Sequence, residues 1–592
     1  MESTRSCDVL ILGGGSAGLR AAIEAHDSGA KVLIISKSKK GDPHTVLARG
    51  GINAALGTMD PKDNWNIHAA DTLREGEILA DYTRVEKLCK NAPDAINELV
   101  SWGARFHREE DGRLTQRFFG AHTYRRTVFY EDWTGDEIVR VLMEQVRKRK
   151  IDFEDGVYIT SLLTSHGLGA KGSDESVEVK GVRGISIEKK EFVLYTCKSV
   201  VLAAGGYTRV YSVSSSRIFE NYGEGMAMAY EAGAELVDME MVQFHPTGMV
   251  WPENALGTLA TEAIRGEGGI LLNSKGERFM KNYYPERMEL GPRDVVARAN
   301  YNEIIAGRGT VHGGVWLDIT NLSKEQILDR LPTMYEQFKN LAGIDISKER
   351  MEVGPTAHYS MGGVAVDINC KTNGIAGLFA VGEVISQIHG ANRLGGNSLL
   401  DTVVFGKIVG NEAAEYSKEK EKEIDLDLLA NINDHTESGA FIVKEPLKFR
   451  NEIQEIMMQN AGIIREETKL QNGLKKILDL RDQFYSKDSI VTDFKLDDEN
   501  SQKLVLTLQV KSSLIVCEAI IRSALMRQES RGAHYRSDFP NLDDREWKVN
   551  IFCRKNDSKD MRLYKRNVNE IKGPLAELLK EHIKPEHQRE FE

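Results

Sequence analysis

The stretch "GGGSAG", residues 13–18, limits the fold of this chain more than any other. It follows "DVLIL", a short β-rich apolar run that predicts a buried parallel strand, and it leads into a helical segment ending near "HDSG". "KVLIISK" then predicts a second buried strand. Together these form a βαβ unit, the opening of a doubly wound α/β sheet. Each glycine of the G-x-G-x-x-G pattern has a task. Gly13 allows a tight turn, Gly15 lets backbone approach a pyrophosphate, and Gly18 lets helix and strand pack closely. The helix N-terminus offers free N–H groups to the phosphates. A purely structural glycine turn is the competing reading, and the strand–turn–helix context weighs against it. Where an acidic residue often closes the second strand of such a unit, this chain carries Ser36 and Lys37. That leaves FAD and NAD undecided at this motif.

A second glycine turn favours FAD. "VLAAGGY" is an apolar strand running into Ala204, Gly205 and Gly206, and the larger dinucleotide needs both approaches. Near residue 376, "AGLFAVGEV" returns to a buried strand and glycine turn. One sheet split by an inserted domain explains that return better than two nucleotide folds. Between them, from about 236 to 355, helix, strand and loop mix. Residues 78–150 and about 425–530 read as mainly helical, and the charged stretch from "KNDSKDMRLYKRN" onward is expected to lie outside. A chain of 592 residues needs several cores.

Charge and cysteines narrow the function. A net charge of −11 argues against a nucleic-acid partner. Six scattered cysteines form no CxxC pair and no zinc spacing, so they read as reduced thiols, with no metal and no iron–sulfur site of this chain's own. The N-terminus has no signal pattern, and no apolar run approaches the ~20 residues that span a bilayer. Work at a membrane would require another chain as its holder.

Several glycine-flanked segments carry the chemistry. They are "QFHPTG" with His245, "TEAIRGEGG" with Thr261, Glu262 and Arg265, "GPRDVVAR" with Arg293, "PTAHYSMGG" with His358, and "HGANRLGGNSLLD" with Arg393 and Ser398. Singly, each reads best as a structural residue. Jointly, two His, a Thr and two Arg suit a small dianion, because guanidinium forks bind carboxylates bidentately and imidazoles add directed donors. One more histidine, His44 of "GDPHTVLARGG", stands in a loop shortly after the first fingerprint.

These motifs, with "HTVLARGGI", "RDVVAR" and "RGAHYRSDFP", resemble the flavoprotein subunit of the succinate dehydrogenase and fumarate reductase family from the first strand to about residue 545. The resemblance implies an FAD-binding, Rossmann-like domain (1–235 and 356–424) split by an α+β capping domain (236–355). A helical domain (425–545) and a C-terminal tail (546–592) follow. It implies FAD contacts at Gly13, Gly15, Gly18, Ser36, Lys37, Thr45, Gly50, Gly51, Glu224, Glu383, Ser398 and Leu399. It implies a dicarboxylate site at His245, Thr261, His358 and Arg393, with hydride passing between a substrate carbon and the flavin. Arg293 is the implied proton shuttle, relayed through Glu262 and Arg265. Arginine ordinarily keeps its proton, and a second cation with a desolvated pocket would disfavour the charged form. The competing reading makes Arg293 an electrostatic clamp.

His44 matches the family histidine that bonds FAD covalently, which raises the flavin potential enough to accept from succinate. Pro43 and Arg49 depart from the commoner serine and glutamine, and Arg49 is expected near the flavin or its phosphates. Arg531, His534 and Arg536 read as structural pairs. The leading expectation is a succinate:quinone oxidoreductase subunit that oxidises succinate to fumarate. It would pass electrons to an iron–sulfur subunit, with membrane anchor subunits beyond, peripheral on the cytoplasmic face of the cell membrane. Fumarate reduction is the same chemistry reversed. L-Aspartate oxidase shares the site but lacks the covalent histidine, adenylylsulfate reductase should not keep the whole dicarboxylate set, and a flavin-binding subunit without turnover would not need it.

Overall fold

The computed structural model describes residues 3–168, 177–420, 441–556, 558 and 560–581. Strand β1 (Val9–Leu12), helix α1 (Ser16–Asp27) and strand β2 (Val32–Ile35) form the expected βαβ unit, and every residue of both strands is buried. Three further strands complete this sheet: β3 (Asp152–Glu154), β4 (Ser199–Leu202) and, after a long excursion, β7 (Leu378–Ala380). The order is β7-β4-β1-β2-β3, with each pairing parallel. Continuous Val/Ile/Leu runs follow from burial on both faces. The returning strand therefore rejoins the first sheet, in keeping with a single split nucleotide fold.

The excursion contains its own antiparallel sheet. Strand β5 (Val242–Met249) pairs with β6 (Met351–Ser360), which pairs in turn with Val315–Asp318. A separate apolar core, including Ile264, Leu271, Val296, Leu317 and Val353, lies under it. After β7, helix α2 (Asn397–Lys418) runs alongside α1 in the same direction, with Thr402 beside Ser16 and Gly410 beside Ala21. The pair approaches closely because α2 is glycine-bearing: a Cβ on Gly410 would lie 2.3 Å from the carbonyl oxygen of Ala21.

One sequence expectation needs correction. Helix α3 (Asp498–Met526) contains an 18-residue window of mean hydropathy 1.8, long and apolar enough to cross a membrane. That window is 72% buried within the protein, where α3 packs against Pro446–Asn460, Glu467–Phe484 and Glu224–Glu231, so it is a core helix. Among the described residues, the charged stretch from Lys555 onward lies largely outside, as its composition predicts, but the strand just before it is part of the core. Strand β8 (Val549–Lys555) buries Val549, Ile551, Phe552 and Cys553 and pairs with Leu236–Val237, while β9 (Met561–Asn567) lies on its outer edge. The charges of β9 masked the apolar strand before it. The expected boundary at 424/425 and the last residues of the tail, 582–592, lie outside the described residues. Arg531 pairs with Glu529 and Asp544, Arg536 with Asp538, and Arg465 donates to Nδ1 of His534 at 2.8 Å.

Candidate active site

One continuous cleft joins the glycine turns to the polar segments. At the nucleotide end, Gly13 has φ +125° and a Cβ there would come within 2.1 Å of the Ala203 carbonyl oxygen. A Cβ on Gly18 would lie 2.0 Å from the Gly13 carbonyl oxygen, so Gly18 serves helix–strand packing and does not line the cleft. Gly15 faces the cleft, and a Cβ there would meet only Thr45 Oγ1 at 3.2 Å and Pro43 at 3.9 Å. Its bareness therefore keeps space open for something other than protein. The first turn of α1 has no side-chain cap within α1, though Thr45 Oγ1 accepts from Ser16 N at 3.2 Å. Helix α2 likewise starts uncapped, with Ser398 and Leu399 on the cleft wall. Two helix N-termini at one cleft make an anion site suited to a pyrophosphate-bearing cofactor.

At the end of β2, Ser36 and Lys37 line the cleft beside Glu224. Lys37 Nζ lies 2.5 Å from Glu224, and Ser36 Oγ accepts the Ser38 N–H at 3.2 Å. The acidic group missing from β2 is thus supplied by a helix nearly two hundred residues away. Ala204 and Gly205 line the cleft; Gly206 does not, because its place is against a carboxylate. A Cβ on Gly206 would fall 2.3 Å from Glu383 Oε1, which accepts from Ser360 N and Oγ, both at 3.0 Å. Thr45, Gly50, Gly51 and Glu383 complete this wall.

His44 opens a short 3₁₀ turn, His44–Leu47, with Pro43 as its N-cap. Its Nδ1 lies 2.9 Å from Glu220 Oε2. Burial disfavours the imidazolium, but the hydrogen bond and charge of Glu220 outweigh it and raise the pKa above its usual value. The partner carboxylate, despite burial, is held below the usual range by the same pair. Arg49 also reaches the cleft, its guanidinium carbon 4.3 Å from the Trp133 ring centroid.

The polar end is assembled across the strand pair. Antiparallel pairing of β5 and β6 brings His245 and His358 together, ring centroids 5.4 Å apart. Burial first, then the neighbouring arginines, pushes both pKa values well below the ordinary 6.5, so both rings are neutral. His245 Nδ1 accepts the Thr247 N–H at 3.2 Å, which puts the ring proton on Nε2 as a donor. Ser215 Oγ lies 2.9 Å from His358 Nδ1.

Positive charge comes from arginines. Arg293 donates to Glu262 Oε2 from Nε (3.0 Å) and Nη2 (2.7 Å). Burial works against the Glu262 anion, yet Arg293 and Arg265 bring its pKa down to about 2. Arg393 has its pKa lowered to about 9 by burial and by the charge of Arg293. Thr261 Oγ1 and Arg393 Nε are buried without a hydrogen-bond partner. Orphaned donors of this kind fit a polar anionic ligand between them. Arg265 is buried but does not line the cleft. Its Nη1 donates to the Glu289 carbonyl oxygen, its Nε and Nη2 lack partners, and no hydrogen bond joins it to Glu262 among the described residues.

Two residues escaped sequence reasoning. Gln243 Oε1 accepts from both Arg293 Nη1 (3.1 Å) and Arg393 Nη2 (3.0 Å), so one amide sets the spacing of two cations. Its signal was available: Gln243 and His245 stand two apart on β5 and share a face. Glu220 had no such signal, being 176 residues from His44.

Known proteins match the chain over most of its length. The FAD binding domain family model matches residues 8–399, and the fumarate reductase flavoprotein C-terminal model matches 450–586. The chain is 44% identical to one of the chains of the CoM/CoB fumarate reductase of Methanothermobacter marburgensis, covering 92% of this chain and 96% of that protein. It is 37% identical to the succinate dehydrogenase flavoprotein subunit of Rickettsia bellii, covering 91% of each. A variant of the Escherichia coli quinol fumarate reductase FrdA superposes with a TM-score of 0.88 at 32% identity, over 97% of this chain and 98% of that one.

Proposed function

The chain belongs to the flavoprotein subunit family of succinate dehydrogenases and fumarate reductases, and from that premise we propose that its cleft exchanges a hydride between a four-carbon dicarboxylate and FAD bound through His44. It is an FAD-dependent oxidoreductase acting on succinate and fumarate. The observation that carries the finer reading is the polar end. Arg293 and Arg393 share Gln243, two neutral histidines stand beside them, and Thr261 and Arg393 hold unpartnered donors toward the same space.

Bound FAD would supply the hydride acceptor and donor. Gly13, Gly15 and the N-termini of α1 and α2 would hold its pyrophosphate, Glu224 with Lys37 and Ser36 would meet its ribose, and Thr45, Gly50, Gly51, Ala204, Gly205 and Glu383 would line the rest. Arg393, His245 and His358 would bind the two carboxylates, with Thr261 donating to one. Arg293, held by Glu262, would face the substrate carbon and move its proton at a guanidinium nitrogen. Arg265 would extend the relay electrostatically, since its present hydrogen bond runs to Glu289. The buried walls exclude water from the exchange.

In the leading reading the protein oxidises succinate and hands electrons to an iron–sulfur subunit of a membrane-held succinate:quinone oxidoreductase, peripheral on the cytoplasmic face. Covalent attachment at His44 would favour that direction. The 44% identity to a chain of a CoM/CoB fumarate reductase supports a second reading, fumarate reduction by the same site. Malonate, a dicarboxylate that exchanges no hydride, tests the site common to both. It should shift the flavin absorbance spectrum where acetate does not; an unchanged spectrum at saturating malonate would remove the dicarboxylate reading.

A further inference from the structure

We propose that Glu220 is the positioning residue that prepares His44 for attachment of the flavin, an inference that rests on the covalent reading above. The two side chains meet at 2.9 Å, Nδ1 to Oε2, with Glu220 only 4% exposed and His44 30% exposed toward the cleft. The loop that carries Glu220 is held by its own contacts. Arg217 pairs with Asp42 at 2.8 Å and lies 3.7 Å from Glu220, Asn221 donates to Ser216 Oγ at 2.8 Å, and Arg209 N donates to the Asn221 carbonyl oxygen at 2.9 Å. Among the described residues, the charged or titratable groups facing His44 are Glu220, Glu383, Arg217 and His358, and of these Glu220 hydrogen-bonds the ring.

A carboxylate on Nδ1 keeps the ring proton at that nitrogen. Nε2 is then the nitrogen that carries the lone pair once the ring is neutral. In the attachment step, that lone pair forms a bond to C8α of the flavin and one C8α–H bond breaks. The proton goes to ring N5, and the flavin is left reduced by two electrons. The imidazole becomes a cation whose Nδ1–H points at the buried Glu220 carboxylate, which neutralises the new charge. Fumarate then takes the hydride and a proton and leaves as succinate, returning the attached flavin to its oxidised form. Glu220 thus serves twice, choosing the nitrogen and stabilising the product.

The test is attachment itself. Full-length chain made without flavin is given FAD and fumarate across a range of pH. Flavin fluorescence retained by the acid-precipitated polypeptide is followed over time, beside total bound flavin. The wild type should attach faster as pH rises, because Nε2 must lose its proton from a ring whose pKa Glu220 raises. Glu220→Gln should bind FAD yet attach at least about tenfold more slowly at the plateau, with its midpoint moved to lower pH. Glu220→Asp should keep the carboxylate's pH dependence and recover part of the rate. A Glu220→Gln profile matching the wild type overturns the assignment while leaving the covalent reading intact. Wild-type flavin found wholly in the supernatant overturns both. Should Glu220→Gln fail to hold FAD, Glu220→Asp decides: a slower profile with flavin bound supports the role, and one identical to the wild type overturns it.

Discussion

The two ends of the cleft are built in opposite ways. The nucleotide end is made of backbone: glycines at 13 and 15, the first turns of two helices, and a strand end at Ala204–Gly205. The polar end is made of side chains from β5, β6, the Thr261 and Arg293 helix starts and the loop before α2. A backbone site is fixed by local sterics and tolerates little change. A side-chain site is fixed by mutual hydrogen bonds and fails one function at a time. Substitutions at the two ends should therefore separate loss of cofactor from loss of chemistry.

Gly13→Ala gives the largest expected effect. Its Cβ would overlap the Ala203 carbonyl oxygen at 2.1 Å in a left-handed conformation, so the purified chain should carry no flavin and show no activity. Flavin content at the wild-type level would break the contrast at its nucleotide end. Arg293→Gln should do the reverse. It removes the cation held by Glu262 and Gln243, so kcat should fall by about 10³-fold or more with flavin content unchanged. Normal succinate oxidation by that variant would defeat the shuttle role.

Smaller effects sharpen the comparison within the polar end. Gln243→Leu removes the acceptor shared by two guanidiniums, and malonate affinity should drop roughly 10- to 100-fold in a flavin-absorbance titration. A drop in flavin content instead would place Gln243 in the scaffold. Malonate affinity should also depend on pH. Arg393 carries its charge below about 9 and loses it above, so affinity should be flat at neutral pH and weaken by about tenfold per unit beyond that value. A flat titration to higher pH would show Arg393 firmly charged. The smallest change belongs to Ser36→Ala, which deletes one hydroxyl at the ribose end beside an intact Lys37–Glu224 pair. FAD affinity should fall by about 1 kcal/mol, a few-fold, when reconstitution is followed by flavin fluorescence.

The same contrast explains what was legible in the sequence. The βαβ unit, the glycine turn at 204–206 and the strand returning near 378 could be read because each is a local pattern of apolar runs and glycines. The polar residues could be named from their motifs, but their partners could not. Glu224 reaches Lys37, Glu220 reaches His44, and Gln243 bridges two arginines only after distant strands have paired. Arg265 shows the limit of motif reading from the other side: it sits in "EAIRG" beside Glu262, yet its hydrogen bond runs to Glu289. The strand at 549–555 was missed because its apolar residues are followed by a strongly charged edge, and composition averaged the two. Helix α3 was underestimated because charges spaced along its length interrupt an apolar run that is buried on nearly all sides from Gln509 to Ala524.

The most direct measurement is an anaerobic single turnover of the purified flavin-loaded chain, without its partners. Succinate, mixed in excess, should bleach the flavin absorbance, and fumarate added afterwards should restore it. Malonate should block both changes. Flavin that stays oxidised with succinate and, after chemical reduction, stays reduced with fumarate would contradict the claim that this cleft moves a hydride between a dicarboxylate and FAD.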